Sequence, residues 1–415
     1  MPEFLPFIAT RYNPSRVQLE NVTSPPYDVI SQEYRDLLYE RDPHNIIRLE
    51  WNRDSDPYGT ATRFFREWKK DGILRPDERP AFYVYRQIFR VPDGGEISRS
   101  GVIGRIKLSP YSEKEVLPHE RTHAAPKQDR LALMEHLHAN ISPIFGLISD
   151  PSFFFDETLE IATAYAPLAD VEESLPANGC IRHLIWRLPD ETAENRISQL
   201  VSHSPVIIAD GHHRYETAVE FHKRHPEIPG AEHMMMFLAN LHAEGTVILP
   251  THRLLFGLDN FNQYHLLRQL AARFELLPFH SREEGIAELE RDESAVTLLE
   301  FPEDPRWMLV RDSNPQERDS LHLPASRLEE DILIPMAGMT RTQIDARSNL
   351  LYPHTVQEVD EIEESQLWNA VFYLRAVRPS EMQRVVEHGG FMPQKTTYFY
   401  PKLLTGLVMH EFGAQ

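Results

Sequence analysis

A single cysteine, Cys180, stands in a chain of 415 residues. That excludes a disulfide scaffold and a thiolate-rich metal centre, and it makes a reducing cytoplasm the expected compartment. Long apolar runs are missing too. Nothing approaches the ~18 consecutive apolar residues that a membrane-spanning helix needs. The start, MPEFLPFIATRYNPSRV, lacks the basic residues and apolar stretch of a secretory signal. Positive charge is scarce: 43 Lys and Arg against 63 Asp and Glu leave a formal net charge of −20. Such a chain repels phosphate backbones, which argues against general nucleic-acid binding but leaves room for a local basic pocket that takes one small anion. There is no Gly-x-Gly-x-x-Gly fingerprint, nucleophile elbow or Cys/His dyad, so dinucleotide redox and acyl-enzyme chemistry lack support. Glycine is outnumbered by proline, 18 to 32, and the prolines are dispersed, which favours rigid turns over a disordered linker.

At roughly 150 residues per domain, the length allows two or three structural units. Residues 31–42 and 58–70 read as helices, the second with Phe64, Phe65 and Trp68 on one face. AFYVYRQIFRV (81–91) and RSGVIGRIKL (99–108), joined by PDGGE, read as a hairpin. A helix is expected over 126–141, ending at Ser142-Pro143. Strands and helices then alternate through SPIFGLISD, ETLEIATAYA, CIRHLIWRL, ETAENRISQLVSHS, PVIIAD and YETAVEFHKRH. Beyond Pro229-Gly230, strands are expected at MMMFLANL, GTVILPTHRLL, AVTLLEF and RWMLVR, with helices around 263–273, 282–291 and 325–332. The acidic run EVDEIEES (358–365) reads as a solvated helix or loop. The alternation predicts an α/β (α+β) fold with a mixed sheet.

The most informative stretch is VIIADGHHRYETAVEF (206–221), where a short apolar strand passes through Asp210-Gly211-His212-His213-Arg214 straight into a helix. A strand-to-helix loop presents unbonded backbone N–H groups and the positive end of the helix dipole. Gly211 permits a tight bend, while His212, His213 and Arg214 add donors, the arginine with a fork suited to phosphate oxygens. Asp210 suits a hard cation such as Mg²⁺, which binds through one or two carboxylates plus substrate phosphates. The same residues also suit an ordinary Asp-Gly turn with a solvated helix start.

Other candidates are weaker. Lys127 and Arg130 begin a helix against the preference of its dipole, which a nearby anion or plain surface charge would explain. Gln394-Lys395-Thr396-Thr397 with Lys402, and Thr251-His252-Arg253, could each supply the second phosphate of a diphosphate donor. Tyr27 and Asp28 follow two prolines on a stiff loop. Asn45 and Arg48 could receive the amine or carboxylate of an amino acid, or serve as a cap and a surface arginine.

DGHHRY between strand and helix resembles the signature of the ParB/sulfiredoxin superfamily, and more closely its free-serine kinases. SPPYDVIS (24–31), HNIIRLEW (44–51), LPHERTHAAPKQDR (117–130), LPTHRLL (249–255) and MPQKTTYFYPK (392–402) resemble a bacterial family known only as a domain of unknown function. The resemblance implies a ParB/sulfiredoxin-like catalytic core at 111–230, an N-terminal α/β segment with the hairpin at 1–110, and a C-terminal α/β segment at 231–415 completing the site. The 90 residues separating Glu120 from Asp210 imply an insertion around 150–180. It implies a phosphotransferase that moves a phosphoryl group between pyrophosphate or ADP and the hydroxyl of a small amino acid, L-serine first, with Mg²⁺ at Asp210. Glu120 matches the glutamate that activates the hydroxyl, a task a carboxylate can perform, and His119 and Thr122 of the same loop would meet the substrate. Asp210 and His212 are the other expected catalytic residues. The alternatives are a phosphoserine phosphatase making serine, or a ParB-like nucleotide-binding regulator without turnover. Small molecules are the expected partners, with no nucleic acid or membrane, and a homo-oligomer is allowed.

Overall fold

The hairpin forms in a computed structural model of the chain: Tyr83–Arg90 pairs antiparallel with Glu96–Lys107, and Gln87 faces Arg99. The structure describes residues 1–413 except 93, 121–124, 176–178, 303 and 314–320. Contacts divide the chain into two compact units. One comprises Met1–Pro118, Thr122–Val247 and Pro401–Gln415; the other comprises His119–Arg121 and Ile248–Tyr400.

The first unit is built on a nine-stranded mixed sheet. Its order is Val116–Leu117, Val206–Asp210, Ile144–Ile148, His233–Asn240, Glu96–Lys107, Tyr83–Arg90, Gly179–Arg187 and Ala169–Leu175, with Phe4–Leu5 also pairing to Glu96–Lys107. Two pairings are parallel, Val206–Asp210 with Val116–Leu117 and His233–Asn240 with Ile144–Ile148. The fold class is therefore mixed α/β, as expected. Helices Phe154–Thr163 and Glu191–Ser202 bury Phe155, Leu159, Ala162, Ala193, Ile197 and Val201 in the same core as Val206 and Ile208. Those positions recur every three to four residues, the spacing of one helix face. The Asp190 side chain caps the second helix by accepting from the Ala193 N–H.

The expected helix over 126–141 stops at Leu137. His138 takes a φ of 50°, and Ala139–Asn140 peels away to pair with Met409–Glu411 in a separate four-stranded sheet. Strand pairing outcompetes the last helical turn there. The strand at 169–175 was not anticipated; its run ADVEESL is too acidic to read as one.

The second unit holds a six-stranded sheet whose pairings are all antiparallel, ordered Phe274–Phe279, Trp307–Asp312, Ala295–Glu300, Ala370–Tyr373, Arg253–Leu255 and Leu350–Leu351. Its inner strands alternate between two cores. Leu254, Leu298, Leu309 and Val371 enter one, while Leu255, Leu299, Val310 and Phe372 enter the other. The expected strand GTVILPTHRLL is broken at Pro250 into Val247–Leu249 and Arg253–Leu255, since proline cannot donate to a ladder. The expected helix at 325–332 is one α-turn, Pro324–Arg327, followed by a π-helical turn, Leu328–Leu333. The acidic run lies in a helix, Val356–Ser365, that buries Val359. No described helix is long and apolar enough to cross a membrane.

Candidate functional site

The loop after Val206–Asp210 is shaped by an irregularity in the sheet. Ile208 pairs with Gly146 and Asp210 with Phe145, so Ala209 is an extra residue and the strand bulges. A bulge re-aims the side chains that follow it. Gly211 has a φ of 95°, a region that side chains with a Cβ rarely occupy. A Cβ there would also lie 3.1 Å from Arg214 Nη2. Both constraints demand glycine. The helix His212–Arg224 then begins at once.

Asp210 sits between two cations. Its Oδ2 accepts from Arg214 Nη2 at 3.3 Å and its Oδ1 from Lys402 Nζ at 3.3 Å. Arg214 is further fixed by donating to Ser142 Oγ (3.2 Å) and to the Pro143 carbonyl (2.9 Å). Lys402 arrives on a segment that crosses the sheet: its carbonyl accepts from Gln87 Nε2 at 2.8 Å, and the Leu404 N–H donates to Tyr85 Oη at 3.2 Å. Arg99 is fully buried beneath, donating to Gln87 and the Pro401 carbonyl, with its guanidinium 4.7 Å from the Phe145 ring. Burial pulls its pKa down to about 10, against the attraction of Tyr85 and Asp210, so it stays charged at neutral pH. Three cations thus attend one carboxylate.

Beside Arg214 lies a second group of charges. Arg214 feels the charges of Asp210, Asp28, Glu50 and Tyr27, Glu50 feels Arg130, Arg214 and Asp28, and the Arg130 guanidinium lies 4.0 Å above the Tyr27 ring. Burial tends to lower the Arg214 pKa, but the charges of Asp210, Asp28, Glu50 and Tyr27 outweigh it and hold the pKa above its ordinary value. Glu50 closes the short helix Ile47–Glu50 and is buried, 2% exposed. Burial raises its pKa, while Arg130, Arg214 and the Ser142 hydroxyl pull the other way. Among the described residues its Oε2 is buried without a hydrogen-bond partner. An oxygen left in that condition costs about 1–3 kcal/mol or more when charged.

The structure brings together Tyr27, Asp28, Arg130, Asp210, Gly211, Arg214 and Lys402 from the sequence candidates. His212 is buried at the first helical position and His213 follows it, its carbonyl accepting from Thr217 Oγ1 at 2.7 Å. Lys127, on the helix Ala125–Leu137, pairs with Glu216 of the helix His212–Arg224. Arg130 Nε donates to Asp129 at 2.8 Å, so both residues that sat against the helix dipole carry their own carboxylates. Two further candidates are engaged by backbone, Asn45 in the capping role that was its alternative reading. Asn45 is buried and directs its amide to the Asn21 and Thr23 carbonyls and its oxygen to the Ile47 N–H. Arg48 donates to the Tyr39 carbonyl at 2.6 Å and lies over the Tyr39 ring. Both hold the N-terminal helices together. The residue from that motif that reaches the charged group is Glu50, which sequence reasoning missed. Its signal was a carboxylate inside an apolar run, between Leu49 and Trp51.

In the second unit, His119 and Glu120 meet the turn 393–397. Glu120 Oε1 accepts from the Thr396 N–H (3.2 Å) and from Thr397 Oγ1 (3.3 Å), and His119 Nε2 lies 2.7 Å from the same hydroxyl. The donor count fits an imidazole N–H donating to the hydroxyl and the hydroxyl to the carboxylate. The Met392 N–H donates to the His119 carbonyl at 2.8 Å, and Lys395 takes a φ of 54° in the turn. Thr396 is buried and donates to the Pro393 carbonyl. Thr122 lies outside the described residues.

Arg253 and His252 are both buried and engaged within the second unit. Arg253 is buried, gives its Nη atoms to the carbonyls of Thr251, His252, Gln394 and Lys395, and stacks 4.6 Å over Tyr352. It clamps the turn that carries Thr396 and Thr397. His252 Nδ1 accepts from the Leu374 N–H at 3.1 Å, and burial, with His354 and Arg253 nearby, pushes its pKa down to about 3. The π-helical turn places buried Glu329 against Arg341 and within the field of Arg253, a partner that sequence reasoning also missed.

Magnesium at Asp210 does not fit these residues. Both carboxylate oxygens already meet a cation, and among the described residues no group of three or more His, Cys, Asp and Glu is placed to hold a metal ion. No step below runs through a metal.

The chain matches the family described as protein of unknown function, DUF1015, over residues 4–330. The chain belongs to that family. This DUF1015 member has no match among curated proteins. Among solved structures it is similar to a conserved hypothetical protein from Pyrococcus furiosus, at 13% identity, with 71% of this chain and 92% of that chain covered and a TM-score of 0.37. It is similar also to a free serine kinase in complex with AMP, at 11% identity, with 71% and 89% covered and a TM-score of 0.37. A C-terminally truncated SbnI from Staphylococcus aureus gives 11% identity, coverage of 72% and 85%, and a TM-score of 0.37.

Proposed function

We propose that this DUF1015 protein is a phosphotransferase that moves a phosphoryl group between pyrophosphate or ADP and the hydroxyl of a small amino acid, L-serine first. The observation that supports it most is the loop 210–214, where Arg214 and Lys402 pair with Asp210 at the start of a helix and the buried Arg99 adds its field. In a chain of net charge −20, such a concentration of cations calls for an anion. Phosphoryl transfer depends chiefly on positioned positive charge around the transferring group. The hydroxyl oxygen would bond to phosphorus as the bridging P–O bond breaks, and orthophosphate or AMP would leave. The family resemblance gives the hydroxyl proton to Glu120, whose carboxylate oxygen is already oriented by Thr396 and Thr397.

Purified protein incubated with labelled phosphoserine tests the reading. Serine appearing only when orthophosphate or AMP is added, with pyrophosphate or ADP formed in step, is the expected result, and Glu120→Gln abolishes it. Serine plus orthophosphate without any acceptor would mean a phosphatase. No turnover with any acceptor would overturn the proposal in favour of a binding protein.

A further inference from the structure

We propose that Glu50 is the ammonium-binding residue that makes this site select α-amino acids over the matching hydroxy acids, an inference that rests on the phosphotransferase reading above. Buried carboxylate oxygens are nearly always bonded, yet among the described residues Glu50 Oε2 is buried with no partner. Two guanidinium groups stand near enough to act on it, but among the described residues neither closes an ion pair with it. Arg130 is drawn to Asp129 and the Tyr27 ring, and Arg214 to Asp210, Ser142 and Pro143. The arginines are committed elsewhere, and Glu50 is left as an acceptor.

Its neighbours grade outward to solvent: Tyr27 is half-buried and Asp28 exposed. A ligand entering beside them would present its ammonium to Glu50, and the carboxylate on the same carbon would fall in the field of Arg130 and Arg214. An ammonium brings three donors and a positive charge. The hydroxyl of a 2-hydroxy acid brings one donor and no charge, leaving the carboxylate uncompensated. Mixed charge at close quarters is what a zwitterion requires, whereas a simple anion site has no use for a buried carboxylate.

Calorimetric titration of wild type, Glu50→Gln and Glu50→Asp with L-serine, with glycerate (the same skeleton without nitrogen) and with pyrophosphate tests this. Wild type is expected to bind serine at least thirtyfold more tightly than glycerate. Glu50→Gln should lose at least tenfold for serine, hold its affinity for glycerate, and bind pyrophosphate no worse than wild type; Glu50→Asp should recover part of the preference. Equal serine binding by wild type and Glu50→Gln overturns the proposal, as does a wild type that binds both acids alike or neither. If Glu50→Gln does not fold, the wild-type ratio and Glu50→Asp decide. Pyrophosphate binding without serine binding sinks this inference and spares the cationic loop; serine binding without pyrophosphate binding does the reverse.

Discussion

Asp210→Asn separates two roles for the loop carboxylate. If Asp210 holds a metal, its loss weakens the binding of pyrophosphate. If it is the counter-charge of Arg214 and Lys402, its loss strengthens that binding, because a negative charge beside the anion disappears. Two unit charges about 7 Å apart interact by roughly 2 kcal/mol at the effective dielectric typical of protein surfaces. The Asp210 side chain is 26% exposed, so screening lowers the gain to about 1–2 kcal/mol, or roughly five- to thirtyfold in affinity. Arg214 keeps its bonds to Ser142 and Pro143 and so stays in place, while Lys402 is released towards the ligand. Titrations with pyrophosphate, with and without Mg²⁺ and at two salt concentrations, should show the variant tighter in both metal conditions, with the advantage shrinking as salt rises. Turnover should still fall, because tighter ground-state binding does not lower the barrier. Weaker binding, or binding that needs Mg²⁺ and Asp210 together, would refute the reasoning.

Two further predictions follow from backbone and burial. Gly211→Ala should lower stability by about 1–2 kcal/mol through its left-handed φ and, by displacing the Arg214 guanidinium, alter pyrophosphate affinity; a thermal unfolding curve and a titration unchanged from wild type would contradict this. His252 and His410 are both buried with pKa values pushed down to about 3, chiefly by burial. Their unfolded values lie near 6.5, so the unfolded chain takes up these protons first as pH falls. The contribution to stability is complete above about pH 6.5 and declines towards pH 3, by about 2 kcal/mol per histidine between pH 7 and pH 5. Urea unfolding at the two pH values checks it, and equal stability at both would count against the buried, neutral rings.

The hairpin, the helix faces and the strand–loop–helix at 206–224 were legible because each is a local pattern of period or turn chemistry. The loop's chemistry was half legible. Gly211, Arg214 and Lys402 were visible and Arg99 was not, and the side chain that each cation meets depends on contacts across the whole chain. Lys127 and Arg130 show the difficulty: a nearby anion or plain surface charge would each explain their placement against the dipole, and the anions they meet are Glu216 and Asp129. Asn45 and Glu50 show it again, since the polar residue that caught the eye caps backbone while the one hidden among apolar neighbours carries the unpartnered oxygen. His252 and Arg253 looked like anion ligands by type, and only burial reveals one as neutral and the other as a clamp.

The segment that brings Lys402 to Asp210 spans a sequence separation of 192 residues, and its carbonyl meets Gln87 across 315. Closing loops of that length costs entropy that the contacts must repay. Lys402 lies outside every strand of the large sheet, so the charge balance at Asp210 depends on a segment that the sheet's own backbone pairings do not hold.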